Sequence, residues 1–174
     1  MTEAPTPTLA DAACLALVVE AGDAGIHGWA LATQLLPDTA LGRIWTLSRP
    51  LAYRSLDRLV TAGLIEHAGH RPGRGPRQRA VRATMAGGAL LTEWLAQPVE
   101  HLRDARTELL LKLEFSDRAG RPTTHLLAAQ RALWADRLDN LATSNDDDDT
   151  VARWRREQAG AIRRFLDDAG LPRL

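Results

Sequence analysis

A change of pattern at Gly63 limits what this chain can fold into more than any other feature. Before it, apolar residues recur at helical spacing. After it come two short runs, Leu64 to Ala68 and Arg77 to Ala83. They are separated by Gly69-His70-Arg71-Pro72-Gly73-Arg74-Gly75-Pro76, whose glycines and prolines read as a turn. The pattern predicts helices followed by one β-hairpin with a basic tip. A first helix is expected from Leu9 to Ala21, with Thr8 as N-cap and Gly22 as stop. Gly25-Ile26-His27-Gly28 reads as a turn into a short second helix, Trp29 to Leu36, which Pro37 ends. A third helix is expected from about Arg49 to Ala62, with Ser48 as N-cap, Pro50 in the first turn and Gly63 at the end. Its inner face is Ala52, Leu56, Leu59 and Val60. Thr84 then caps a fourth helix through Leu90, Leu91, Trp94 and Leu95 to a break at Pro98.

Composition agrees with a mainly helical fold. The 174 residues include 29 Ala and 28 Leu against 6 Val, 4 Ile and 8 aromatics, and the first pair form helices while the others supply strands. No run of uncharged apolar residues is long enough to span a membrane. Residues Met1 to Thr8 lack the basic start and apolar run of a signal peptide, so a cytoplasmic protein without a membrane partner is expected. The single cysteine, Cys14, excludes an internal disulfide and reads as a small buried apolar residue.

Charge is balanced overall, with 22 Lys+Arg against 22 Asp+Glu, but not locally. From Arg43 to Arg82 nine arginines face only Asp57 and Glu66, a surplus of +7. Three helices followed by a basic two-stranded hairpin is the order of a winged helix-turn-helix, whose third helix enters the major groove while the wing follows the backbone or minor groove. On a helical wheel Arg54 and Arg58 lie one turn apart, opposite the apolar face, and Arg49 in the first turn opposes the helix dipole. Phosphates or guanine edges would neutralise all three. The expected DNA-binding residues are therefore Ser48, Arg49, Tyr53, Arg54 and Arg58 on the helix and Arg71, Arg74, Arg77 and Arg79 on the wing. This domain is taken as residues 1–98.

Residues 99–174 contain three further helical stretches: His101 to about Phe115, Thr123 to about Thr143, and Thr150 to Ala169. In the second, Leu127, Trp134 and Leu141 recur every seven residues, joined by Leu138. In the third, Val151, Trp154, Gln158, Ala161 and Phe165 alternate steps of three and four, with Ile162 beside them. Each stripe needs a partner, either within a three-helix core or across a homodimer. The dimer is the preferred expectation, with Leu127, Trp134, Leu138, Leu141, Val151, Trp154, Ile162 and Phe165 forming its seam. The operator is then a rough inverted repeat.

Several segments resemble the PadR family of transcriptional regulators. Gly25-Ile26-His27-Gly28-Trp29 is similar to the His-Gly-aromatic start of that family's second helix, with Trp29 where tyrosine is commoner. The run Leu47 to Leu59, followed by Ala62-Gly63-Leu64-Ile65, resembles its recognition helix and exit into the wing. Ala80 and Ala83 depart from the aromatic and leucine residues often found on the second wing strand. Thr107 to Leu113 and Trp154-Arg155-Arg156-Glu157-Gln158 resemble the C-terminal helical domain of its longer members, related to virulence gene activators. The resemblance implies a homodimeric repressor of a neighbouring gene, released from double-stranded operator DNA by a small aromatic or hydrophobic effector.

Catalysis finds no support, for the chain has no G-x-S-x-G elbow, P-loop or dinucleotide fingerprint. No cofactor is expected. His67 and His70 are close in sequence but have no nearby Cys or H-E-x-x-H pattern, so no metal site is expected. Asp146 to Asp149 lack the spacing of a calcium loop. The rival to a DNA reader is a winged-helix module that binds another protein or sequesters a ligand. Five tryptophans beside two Phe and one Tyr suggest stacking faces, and Trp29 and Trp94 are the candidate effector-binding residues, bordering a cleft between the domains.

Overall fold

The computed structural model describes residues 7–68, 80–143 and 149–169. The chain forms two compact units, Met1–Leu95 and Ala96–Leu174.

In the first unit, helix α1 (Leu9–Glu20) opens with a reciprocal cap. The Asp11 N–H donates to Thr8 Oγ1 at 3.2 Å, and the Thr8 N–H donates to the Asp11 carboxylate at 3.1 Å. All residues from Asp11 to Val18 are buried, so this helix is enclosed on every side rather than amphipathic. Cys14 is wholly buried within it, and that burial, with the Asp11 charge nearby, pushes its thiol up to about 12. Helices α2 (Gly28–Thr33), α3 (Ala40–Ile44) and α4 (Arg49–Thr61) follow. Both α1 and α2 pack on α4.

Strands β1 (Ile26–His27), β2 (Ile65–His67) and β3 (Ala80–Ala83) form an antiparallel sheet in the order β1-β3-β2. Ile26 and His67 both lie opposite Val81, on its two sides. Gly63 leaves α4 with φ +70°, the left-handed conformation that ends a helix without a Cβ penalty. Helix α5 (Met85–Ala96) starts at Thr84, whose Oγ1 accepts from the Gly87 N–H at 3.1 Å and donates to Gly63 O at 2.8 Å. One hydroxyl thus caps α5 and ties it to the exit from α4. Helices packed together ahead of a hairpin make this a winged helix-turn-helix in a mainly α chain.

Two sequence expectations need correction here. Gly25 to Gly28 is not only a turn, because Ile26–His27 pairs with β3 as a third strand. The second helix ends at Thr33 rather than Leu36, and α3 follows it where no helix was expected. Thr39 caps α3 by accepting from the Gly42 N–H at 2.9 Å.

The second unit begins with a 3-10 turn, Leu102–Asp104, and a π-helical stretch, Ala105–Leu109, before α6 (Leu110–Arg118). One continuous helix from His101 to Phe115 was the expectation. Helices α7 (Thr124–Ala142) and α8 (Thr150–Ala169) complete the unit and pack on each other. Trp134 sits fully buried in a core with Val99, Leu109, Leu126, Leu127, Leu138, Ala159 and Leu166, and its Nε1–H donates to Glu100 O at 3.1 Å. Gln130, also fully buried, works like a strand neighbour: Oε1 accepts from the Val99 N–H at 2.6 Å and Nε2 donates to Val99 O at 2.8 Å. Lys112 is 2% exposed, and its Nζ donates to Gln97 O at 2.8 Å and pairs with Glu108 at 2.9 Å. Burial lowers its pKa, against the pull of Glu108.

This core separates the expected dimer stripes. Leu127, Trp134 and Leu138 are buried within this unit, and Leu141 and Ile162 pack against the same cluster, so these five serve the unit's own core. Val151, Trp154 and Phe165 remain 53%, 66% and 40% exposed. Helix α8 turns Ala159, Ile162 and Leu166 toward the core.

Candidate nucleic-acid interface

Helix α4 is two-faced because its apolar residues recur at i, i+4 and i+7. Ala52, Ser55, Leu56 and Leu59 are buried, while Val60, expected on that face, is only partly so. Ser48, Arg49, Leu51, Tyr53, Arg54, Asp57 and Arg58 are exposed. Ser48 has the extended backbone of an N-cap but its side chain makes no capping hydrogen bond. Among the described residues, no carboxylate lies within ion-pair distance of Arg49 or Arg54.

Arg58 is different. Its Nε donates to Asp11 Oδ1 and Oδ2 at 3.0 and 3.2 Å, and its Nη2 to Asp11 Oδ1 at 2.6 Å and Ser55 Oγ at 2.9 Å. The Asp11 side chain is 7% exposed and that of Arg58 49%. Burial alone raises the Asp11 pKa, but hydrogen bonds from Arg58, from Thr8 (side chain and backbone) and from Ser55 outweigh it and hold the carboxyl below its usual range. The Asp11 hydrogen bond raises the Arg58 pKa in turn. Sequence reasoning found neither Asp11 nor Ser55, because no local pattern signals a pair 47 residues apart or a serine on the buried face of α4. Arg58 also lies in the last turn of α4, where a cation suits the helix dipole. The charge of Arg58, which its spacing from Arg54 left to be neutralised by an external anion, is therefore answered within the fold.

Tyr53 is 45% exposed, and its ring lies over Gly28 at the start of α2. Trp29, the next residue, is 54% exposed, whereas Trp94 on α5 is partly buried. On the sheet, Arg82 of β3 stands opposite Glu66 of β2 and pairs with it at 2.7 Å in an exposed cross-strand contact. The hairpin tip and the expected wing residues Arg71, Arg74, Arg77 and Arg79 lie outside the described residues.

No protein-family model matches the chain, and no curated protein matches it. Among solved structures, the chain is similar to Bacillus subtilis PadR in complex with operator DNA, at 17% identity over 92% of this chain and 97% of that one, with a TM-score of 0.46.

Other features offer less chemistry. A cleft of about 220 Å³ between α7 and α8 is lined by Arg131, Ala135, Leu138, Asp139, Arg163, Leu166 and Asp167, and includes neither Trp29 nor Trp94. Arg163 pairs with Asp139 across it. Among the described residues, no group of His, Cys, Asp and Glu is arranged to hold a metal ion. No described helix is long and apolar enough to cross a membrane.

Proposed function

We propose that the first unit binds double-stranded DNA and that the chain is a transcriptional regulator. The observation that carries this is the division of α4. One face is buried against α1 and α2, and the other presents Arg49, Tyr53 and Arg54 to solvent with no described carboxylate beside the two arginines. A guanidinium so placed can donate two parallel hydrogen bonds to guanine O6 and N7 or pair with a phosphate. Ser48, with its hydroxyl unused for capping, joins that set. The wing arginines Arg71, Arg74, Arg77 and Arg79 are assigned to backbone contacts. Arg58 we assign to holding α4 on α1, given its partners.

The regulator we propose is a homodimeric repressor on a rough palindrome. Its dimer seam is reduced from the expected stripes to the outer face of α8, where Val151, Trp154 and Phe165 remain exposed. Release by a small planar effector, stacking on Trp29 and Trp94, completes the proposal.

The test is DNA binding across a salt series, on duplexes selected from random sequence. Arg54→Ala is expected to cost about 1–3 kcal/mol and relax sequence preference, while Arg74→Ala weakens all sequences and flattens the salt slope. Failure to bind any duplex at low salt would return the chain to the protein-binding or ligand-sequestering class.

A further inference from the structure

The sequence has one tyrosine, and it lies on the face assigned to DNA. It also has a glycine at 28 whose backbone needs no special conformation, since its φ is not in the left-handed range. A Cβ built on Gly28 would stand 2.7 Å from Tyr53 Cε1 and 3.2 Å from Cζ, with Leu56 Cδ1 at 3.3 Å. The absent methyl is thus filled by the tyrosine ring. Real carbon contacts of this kind settle near 3.5–4.0 Å. Any side chain at 28 must therefore move the ring, and the ring can move because Tyr53 is 45% exposed to solvent.

We infer that Gly28 is a positioning residue for DNA recognition: by having no side chain, it seats the Tyr53 ring against α2 and fixes where its hydroxyl meets the DNA. The inference rests on the reading of α4 as the DNA-binding helix. Two alternatives for Gly28 are weaker. It is not kept for backbone freedom, because its dihedrals suit any residue. Nor does it admit a close approach of rigid backbone, because its nearest neighbours are side-chain atoms. A flexible side chain clashing with a new methyl yields at low cost, so alanine here should spare the fold and disturb the aim of one ring. Tyrosine has only two side-chain torsions. Resting one ring edge on α2 removes most of its freedom before DNA arrives, and a contact that is ordered in advance costs less to form.

The experiment replaces tyrosine with 3-fluorotyrosine in the full chain, which gives a single ¹⁹F resonance, and compares wild type with Gly28→Ala, Gly28→Ser and Gly88→Ala. Gly88 is the control, because a Cβ there meets nothing within 4 Å. The expected result is a shifted or broadened resonance in both Gly28 variants, none in Gly88→Ala, and an unchanged thermal midpoint for Gly28→Ala. Affinity for the selected duplex should fall about tenfold in Gly28→Ala, the size of one lost base-edge contact. Adding Gly28→Ala to Tyr53→Ala should cost nothing more. An unmoved resonance would overturn the seat, and a moved resonance with unchanged affinity would overturn its role in recognition. Loss of affinity that persists in the Tyr53→Ala background would assign Gly28 a role apart from the ring. Wild-type protein that binds no duplex would refute the DNA reading and the recognition role with it, while the ¹⁹F shift would still register the packing.

Discussion

Replacing Arg58 by methionine removes the guanidinium from Asp11 and leaves the carboxylate in place. The cost can be bracketed. Removing one partner of a fully buried ion pair costs about 3–5 kcal/mol, and an exposed pair contributes about 0–1 kcal/mol. Here one partner is 7% exposed and the other 49%. Water can re-solvate the Arg58 side of the pair but not the Asp11 side, which keeps only Thr8 and Ser55. A loss of about 2 kcal/mol is expected, close to that of a charge-assisted hydrogen bond whose buried acceptor is stranded. Asp11→Asn keeps a cap acceptor for the Thr8 N–H and should cost about half as much. The double variant should be little worse than Arg58→Met, because both substitutions break the same contact.

The pH dependence has a definite sign. The folded-state pKa of Asp11 is depressed below 3.8, so its contribution is complete above the unfolded pKa and is lost as pH falls through the folded one. The stability gap between wild type and Arg58→Met should stay level from neutral pH down to about pH 5 and close below about pH 4. Urea denaturation of the full chain, followed by circular dichroism, reads both quantities. Additive costs for the two single variants, or a gap that does not change on acidification, would refute the clasp. DNA binding supplies a separate check. If Arg58 were a base reader restrained by Asp11, Asp11→Asn would release it and tighten binding, whereas the clasp predicts equal or weaker binding.

Two predictions concern the second unit. Trp154→Ala should leave the fold nearly as stable as before, since the side chain is 66% exposed, but weaken self-association by about thirtyfold or more, as loss of an interface hot spot does. Sedimentation equilibrium measures this, and an unchanged distribution of species would remove α8's outer face from the dimer proposal. Gln130→Leu should destabilise by about 2–4 kcal/mol, because it strands both the N–H and the C=O of Val99. A denaturation midpoint within error of wild type would show that water or another group replaces the amide.

Periodicity is informative where a helix spans several turns and carries one apolar stripe, and it gives α4, α7 and α8 to within a residue or so at each end. Helix α1, apolar all round, is delimited instead by its cap Thr8 and the stop at Gly22. Periodicity fails for α3, whose five residues make little more than one turn, too short for a 3.6-residue repeat to register. It fails for β1, whose two residues are extended only because Val81 and Ala80 stand opposite them. The π-helical stretch before α6 likewise differs in hydrogen-bond register, which no pattern of apolar residues specifies. On the site, exposure of Arg49, Tyr53 and Arg54 follows directly from the helical wheel. The stripe through Leu127, Trp134 and Leu138 was legible as apolar, but a stripe does not reveal whether its partner is the same chain or another.

Folding narrows the positive surplus left to meet DNA, because Asp11 joins it. Counted along the sequence, the stretch from Arg43 to Arg82 carries +7, but that count excludes a carboxylate that folding brings under α4 from α1. Arg58 is answered by Asp11 and Arg82 by Glu66, and Arg58 also sits at the end of α4 where the dipole welcomes it. Arg43, in the last turn of α3, is likewise placed where a helix dipole favours a cation, and of the described arginines in this stretch Arg49 and Arg54 remain. Arg49 stands in the first turn, where a cation opposes the dipole, and nothing described nearby relieves it. Both belong to the N-terminal half of α4, the part of a helix-turn-helix recognition helix that reaches base edges. The residues whose charges the fold leaves unanswered are thus those nearest the proposed groove, and the one farther along the helix is spent on holding it in place.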